Sequence, residues 1–276
     1  MEKVTAGQEI DPVLRKALSD NLLRHTCQFF IKGEKHLKPY GSGVLVLIHG
    51  VHFIITASHV ADILTKEDKD LYIRVGLKNY INVLGDIKYT DIENSEGVDL
   101  AYIKIDAQMI EPLSKPYIFL PTSNIRKHIR MLDAMNYCVV GFPENNINFI
   151  KGHLDTGASA YFTTPARENV YTHYKYNVED WIIVDMKGKG SDIKSGHQTK
   201  INKHFYGLSG CGLWLLILTK NPEDEEYTYE YRLIGIMTEF KKGKFFCLIG
   251  NRIYLFIEAL KKIESMKFNE IPVTYD

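Results

Sequence analysis

GSGVLVLIHGVHFIITASHV, residues 41–60, is the stretch that decides the fold. Within it, 43–48 and 52–56 are apolar, largely β-branched runs of strand length, and His49–Gly50 between them reads as a hairpin. The second run ends on Ser58 and His59, and Val60 and Ala61 follow as though a helical turn opens there. The histidine therefore stands just beyond the end of an apolar strand.

Outward from this stretch the same period of two continues. Strands are expected at 28–31, 71–75, 81–88 and 100–105, punctuated by glycine, proline, asparagine and charged residues. Six short strands in about eighty residues fit a small closed barrel. Upstream the period changes. Asp11 can cap a helix, Pro12 takes its first position, and Val13, Leu14, Ala17, Leu18 and Leu22 recur at three-to-four spacing. Downstream, 112–130 with Pro112, Pro116 and Pro121 reads as a connector.

A second strand-rich half begins at 131, with strands expected at 137–140, 158–163, 181–186, 211–218 and 232–238. The segment 221–230 carries five acidic residues and reads as a solvated hairpin tip. KGKGSDIKSGHQTK, 187–200, is polar and glycine-bearing, as mobile loops are. Asn251 is expected to cap a C-terminal helix whose apolar face is Tyr254, Phe256, Ile257, Leu260 and Ile263. The expected organisation is one domain: a helix in 1–26, a first barrel in 27–111, the connector, a second barrel in 131–250, then helix and tail in 251–276.

Composition narrows the function classes. Lys+Arg and Asp+Glu are both 34, so the formal net charge is zero and nothing in the balance points to nucleic acid or an anionic membrane as partner. No apolar run reaches signal-peptide or membrane-spanning length, which suggests a soluble, cytoplasmic protein. Cys27, Cys138, Cys211 and Cys247 are scattered without a CxxC pair and read as free, buried thiols.

The chemistry-bearing segment is GLSGCGLW, 207–214. A serine between two glycines permits a tight turn, and the amides of Gly207 and Ser209 could converge on an oxyanion there. The alternative is a glycine-rich turn that merely opens a strand. A nucleophilic serine needs a base, and all ten histidines precede Ser209, which excludes the α/β-hydrolase order. His59 is the candidate. GVDLAYIKI, 97–105, puts Asp99 at the mouth of a strand, where a carboxylate could fix the imidazole tautomer. Asp62 and Glu96 are the other carboxylates in range.

Three motifs in order, TASHV around His59, VDLAYI around Asp99 and GLSG around Ser209, resemble the trypsin-like (chymotrypsin-fold) serine peptidases, the intracellular bacterial members above all. YCVVGFP, 137–143, and LIGIMTEF, 233–240, resemble that family's strand opening the second barrel and its substrate-binding strand. The resemblance spans roughly residues 28–260 and implies a mostly β fold of two six-stranded antiparallel β-barrels with an α-helix at each end. It implies a serine endopeptidase: Ser209 as nucleophile, His59 as base and then acid, Asp99 as its orienting partner, and the amides of Gly207 and Ser209 as oxyanion hole. It also implies protein or peptide substrates, with no cofactor and no metal. By the same resemblance Lys203 lies at the specificity-pocket floor, or Asn202 or His204 if one residue is inserted between His197 and Ser209. Thr238 then stands near Asp99 with Glu239 and Phe240 beyond it along the wall, which favours small, apolar or acidic residues before the scissile bond unless Glu239 turns inward.

Leu208 replaces the aspartate that pairs with a new N-terminus in digestive members. Control is therefore expected from a regulatory partner, a ligand or the 187–200 loop rather than from propeptide cleavage. Bland alternatives accompany each reading. His49 and His52 could suggest a metal but read better as hairpin residues. Cys211 as nucleophile competes with a small buried thiol. The whole fold could be a catalytically silent protein-binding module, or an unrelated β-barrel with chance motifs.

Overall fold

The computed structural model describes residues 12–34, 36–90, 97–128, 136–143, 147–150, 153–186, 190–193, 198–199, 206–220 and 227–268. Helix α1 (Pro12–Asp20) and a 3₁₀ turn (Leu22–His25) lead into β1 (Thr26–Lys32), β2 (Leu37–Ile48) and β3 (Val51–Thr56). His49 and Gly50 have φ of 49° and 81° and join β2 to β3, with Ile48 paired to Val51. Two consecutive positive-φ residues give the turn whose twist matches antiparallel strands.

Short helices α2 (Ser58–Ala61) and α3 (Ile63–Lys66) follow, then β4 (Leu71–Arg74), β5 (Tyr80–Asn82), β6 (Gly85–Tyr89) and β7 (Ala101–Ile105). The sheet runs β5-β4-β1-β2-β3-β7-β6. Its end strands are consecutive in the chain with only Val83 and Leu84 between them, so the sheet curls round on itself. Phe29, Leu45, Ile54, Ile73 and Ile103 fill its interior. The single strand expected at 81–88 is thus two segments, because the chain must bend to serve both sheet edges.

Helix α4 (Ala107–Ser114) buries Met109 and Leu113 against this core and contains Pro112, which read as connector. Burial outweighs proline's poor helix propensity in so short an element. The two-residue strand β8 (Leu120–Pro121) then pairs in parallel with β2.

The second half contains β9 (Asn136–Gly141), the hairpin β10 (Ile147–Ile150) and β11 (His153–Thr156), and β12 (Ser159–Pro165). Helix α5 (Glu168–Tyr174), which strand periodicity did not reveal, precedes β13 (Trp181–Asp185). The stretch read as a mobile loop contributes β14 (Gly190–Asp192) and β15 (Gln198–Thr199). β16 (Gly212–Lys220), β17 (Tyr227–Lys242) and β18 (Phe246–Arg252) complete the set. The order β13-β18-β17-β16-β9-β12 closes because β12 also pairs with β13. Tyr137, Tyr161, Ile182, Leu213 and Ile234 fill this barrel.

A third core joins the two units. Leu14, Leu18 and Leu22, at the predicted spacing, are buried with Val44 and Phe53 of the first sheet and Val140, Trp214 and Leu233 of the second. Helix α6 (Tyr254–Ile263) seals the same core, its Phe256 ring 6.0 Å from Phe53 and 5.7 Å from Tyr102. Ile263, assigned to its apolar face, is 53% exposed. The architecture is the expected mostly β, two-barrel one.

Two capping assignments need comment. Asp11 lies outside the described residues. Asn251 does not cap α6: it belongs to β18, fully buried, and Ile253 stands before the helix. Its side chain is engaged elsewhere, at the site described next.

Candidate active site

β3 is buried through Phe53–Thr56, which fixes where the chain leaves the sheet, and α2 turns immediately. The Ser58 hydroxyl donates to the Thr90 carbonyl at 2.7 Å and pins this turn. On it, His59 Nδ1 lies 2.6 Å from Asp99 Oδ2, and the His59 backbone N–H donates to Asp99 Oδ1 at 3.0 Å. One carboxylate thus holds both ring and backbone. With it as acceptor the proton sits on Nδ1, leaving Nε2 as the basic nitrogen. Asp62 pairs instead with Lys66 at 3.0 Å, and Glu96 lies outside the described residues.

Asp99 is itself held from the other barrel. Its N–H donates to Asn251 Oδ1 at 3.0 Å, across 152 positions of sequence. Thr90 Oγ1 donates to Val98 O at 2.6 Å and accepts from Leu100 N at 3.0 Å, fixing the flanks. The carboxylate is 13% exposed and the imidazole 42%. Burial pulls the His59 pKa down, but the hydrogen bond and charge of Asp99, with Asp62 and Glu239 further off, raise it above its ordinary 6.5.

Ser209 comes from the second barrel, on a loop anchored by buried Leu208, which packs in that barrel's core beside Cys211 and Gly141. Gly207 and Gly210, with φ of 92° and 87°, bend the loop around it. The Gly210 N–H donates to Met237 O at 2.7 Å and the Cys211 N–H to Leu208 O at 3.0 Å. Ser42 of β2 grips the loop twice: its N–H donates to Ser209 O at 2.8 Å and its hydroxyl to Gly207 O at 2.6 Å. Thr56, at the end of β3, donates to Ser42 O at 2.7 Å. The hairpin that presents His59 therefore also holds the serine loop. A methyl group at Gly41 would stand 2.8 Å from Val60 Cγ1 and 3.3 Å from Ser209 O, so the residue after His59 and the serine loop both press on one glycine.

Among the described residues, the N–H groups of Gly207 and Ser209 meet no protein acceptor. The Ser209 hydroxyl donates to the Thr238 carbonyl at 3.3 Å, a long bond, and no hydrogen bond joins it to His59.

Of the residues assigned to the specificity pocket, Lys203 lies outside the described set. Thr238 sits where the β17–β18 register shifts, with its hydroxyl 3.4 Å from Ile249 O rather than on Asp99. Glu239 pairs with Lys241 and accepts from the Tyr176 hydroxyl at 3.2 Å. Phe240 meets Phe246 edge-on at 4.9 Å and packs against the second barrel's core.

All four cysteines are unpaired and buried, and burial raises the Cys211 thiol pKa, which disfavours the thiolate that nucleophilic attack needs. His52 stands edge-on to Phe119, and His49 stacks on Phe268.

Sequence reading missed Ser42, Asn251 and Tyr176. Ser42 left a faint signal, a polar residue between two glycines inside an apolar hairpin; the other two left none. Asn251→Ala is expected to lower stability by about 1–3 kcal/mol by orphaning the Asp99 N–H. Letting Asp99 drift should lower kcat by up to about 100-fold with little change in KM. Steady-state kinetics beside a thermal melt measure both, and an unchanged kcat would show that Asn251 does not position Asp99.

The sequence matches no protein-family model and no curated protein. Among solved structures it is similar to two inactivated protease paralogues of the scabies mite. One is 11% identical with a TM-score of 0.51, over 95% of this chain and 100% of that one. The other is 13% identical with a TM-score of 0.53, over 96% and 99%. The protease Anisep of Arthrobacter nicotinovorans is 10% identical over 83% of this chain and 90% of its own, at a TM-score of 0.45, too slight a likeness to argue from. The two scabies mite likenesses show the fold: the chain has the chymotrypsin-like two-barrel architecture.

Proposed function

We propose that this chain is a cytoplasmic serine endopeptidase acting on protein or peptide substrates. The observation that carries the reading is the 2.6 Å pairing of His59 with Asp99, with Ser209 on a loop where, among the described residues, the amides of Gly207 and Ser209 meet no protein acceptor. Ser209 Oγ attacks the scissile carbonyl carbon while its proton passes to His59 Nε2. The oxyanion is held by the amides of Gly207 and Ser209. Collapse breaks the C–N bond as Nε2 returns the proton to the departing amine, leaving an acyl-enzyme. Water, deprotonated by the same nitrogen, then attacks the acyl carbon, and the ester bond breaks as Nε2 returns the proton to Ser209 Oγ, releasing the acid. Asp99 keeps the tautomer and stabilises the imidazolium without being protonated. The four free thiols suit a reducing compartment.

One observation favours a second reading, a silent binding module: the Ser209 hydroxyl donates to Thr238 O. Fluorophosphonate labelling decides between them. An adduct on the peptide containing Ser209, absent in Ser209→Ala, supports the peptidase. Folded wild-type protein that stays unmodified after long exposure supports the silent module.

A further inference from the structure

Beyond Ile236, β17 pairs with β18 on one side only; among the described residues no strand covers its other edge from Thr238 to Lys242. That open edge starts where Thr238 O receives the Ser209 hydroxyl. It ends at the β17–β18 hairpin, which carries Lys241, Lys242 and Lys244. The C-terminal end of α5 packs against the hairpin: Tyr174 donates to Phe245 O at 3.3 Å, and His173 meets the Phe245 ring at 5.4 Å. Exposed Lys175, which follows α5 in a left-handed conformation, adds a further ammonium at this end. Lys241 is paired with Glu239, but Lys175, Lys242 and Lys244 have no carboxylate partner among the described residues. In a chain of zero net charge this is a local excess of cations.

We propose that this lysine hairpin is an exosite for a peptide substrate carrying acidic residues four to six positions from the bond presented to Ser209. The proposal rests on the peptidase reading and names its substrate class. A strand laid along the open edge advances about 3.3 Å per residue, so it reaches Lys242 about 13 Å from Thr238. The hairpin is held at that spacing by the Phe240–Phe246 contact and by the Met186 N–H donating to Phe246 O at 3.0 Å. A peptide suits the surface better than a nucleic acid. The Tyr174, Phe240 and Phe245 rings each have a lysine ammonium of the protein itself over them, at 5.6–5.9 Å, where a base would have to stack. An open strand edge offers a peptide main chain its hydrogen bonds.

The test uses full-length Ser209→Ala protein, so that binding is read without cleavage. Fluorescein-labelled peptides of alanine and serine, carrying a run of glutamates or of glutamines near one end or the other, are titrated by fluorescence anisotropy. The glutamate peptide should bind about tenfold more tightly than its glutamine counterpart at about 50 mM salt, and lose most of that advantage at about 300 mM. Lys242→Glu with Lys244→Glu should abolish the advantage, whereas Lys115→Glu, just after α4 of the other barrel, should keep it. Equal binding of the two peptides, or a glutamate preference that survives the double substitution, overturns the proposal. So does oligo-uridine competing as well as the acidic peptide, which would mean a general polyanion surface. Failure of fluorophosphonate to label wild-type Ser209 would remove the peptidase reading and leave this binding result standing, so the two failures are distinguishable.

Discussion

Replacing Asp99 by asparagine is expected to lower kcat/KM by about four orders of magnitude while leaving the fold intact. The carboxylate accepts from both the His59 ring and the His59 backbone. An asparagine of the same shape can still face the ring, but its amide group favours the proton on Nε2, the nitrogen that must be free to take the serine proton. The pH dependence carries a second signature. In the proposed mechanism His59 must be neutral to act as base, and Asp99 raises its pKa above the ordinary 6.5, so wild-type activity should rise through a midpoint above 6.5. Without the Asp99 charge, residual activity should rise through a lower midpoint.

Stability responds to the same pair. A histidine pKa raised by folding contributes stability that is complete below the unfolded value and fades as pH climbs through the raised one. Kinetics across the neutral range, with melts at each pH, measure all of this. An Asp99→Asn protein with nearly wild-type turnover and an unmoved midpoint would assign the orienting role to another group.

Gly210→Ala should be the most damaging substitution in the serine loop. Gly210 has a φ of 87°, and a methyl group there would fall well inside contact distance of the Ser42 carbonyl oxygen and the Thr56 hydroxyl oxygen. Those two atoms share a hydrogen bond within the His59 hairpin that holds Ser42, the residue whose N–H and hydroxyl donate to the Ser209 loop. The left-handed conformation alone costs an alanine about 1–2 kcal/mol. Displacing a backbone carbonyl should bring the total to on the order of 3–5 kcal/mol. Gly50→Ala is the control, since Gly50 has a φ of 81° but open space around it. It should lose only the conformational part. Comparable denaturant midpoints for the two variants would mean that the serine loop is not packed this tightly.

How far the sequence reaches shows in individual residues. Leu14, Leu18 and Leu22 were legible as a buried face because helix periodicity is written locally, and all three are buried in the core between the barrels. The two runs of 41–60 were legible as a hairpin for the same reason, and His49–Gly50 supplies its turn. Ser209 stood out because glycines on both sides announce an unusual backbone, and both Gly207 and Gly210 have positive φ. Asn251 misled: its preference for helix caps is a statistical tendency of the isolated residue. In the protein it is buried on a strand, where the Asp99 N–H is its partner. Pro112 misled likewise, since its usual role as a breaker gave way to the burial of Met109 and Leu113.

By itself, then, the sequence determined most of the longer strands, their grouping into two strand-rich halves, and which histidine, aspartate and serine sit at the ends of apolar segments, but not β10, β11, β14, β15 or β18, nor the break between β5 and β6. These properties depend on backbone preference and burial, which neighbouring residues encode. Only the tertiary structure decided that Ser42, itself held by Thr56, clasps the serine loop, that Asn251 holds Asp99, and that Tyr176 meets Glu239. It also decided that the Ser209 hydroxyl points at Thr238 and that three lysines stand at the end of an open strand edge. Each of these joins residues distant in sequence. A hydrogen bond between them depends on ångström-scale placement set by the packing of two barrels, and no local pattern of residues records that.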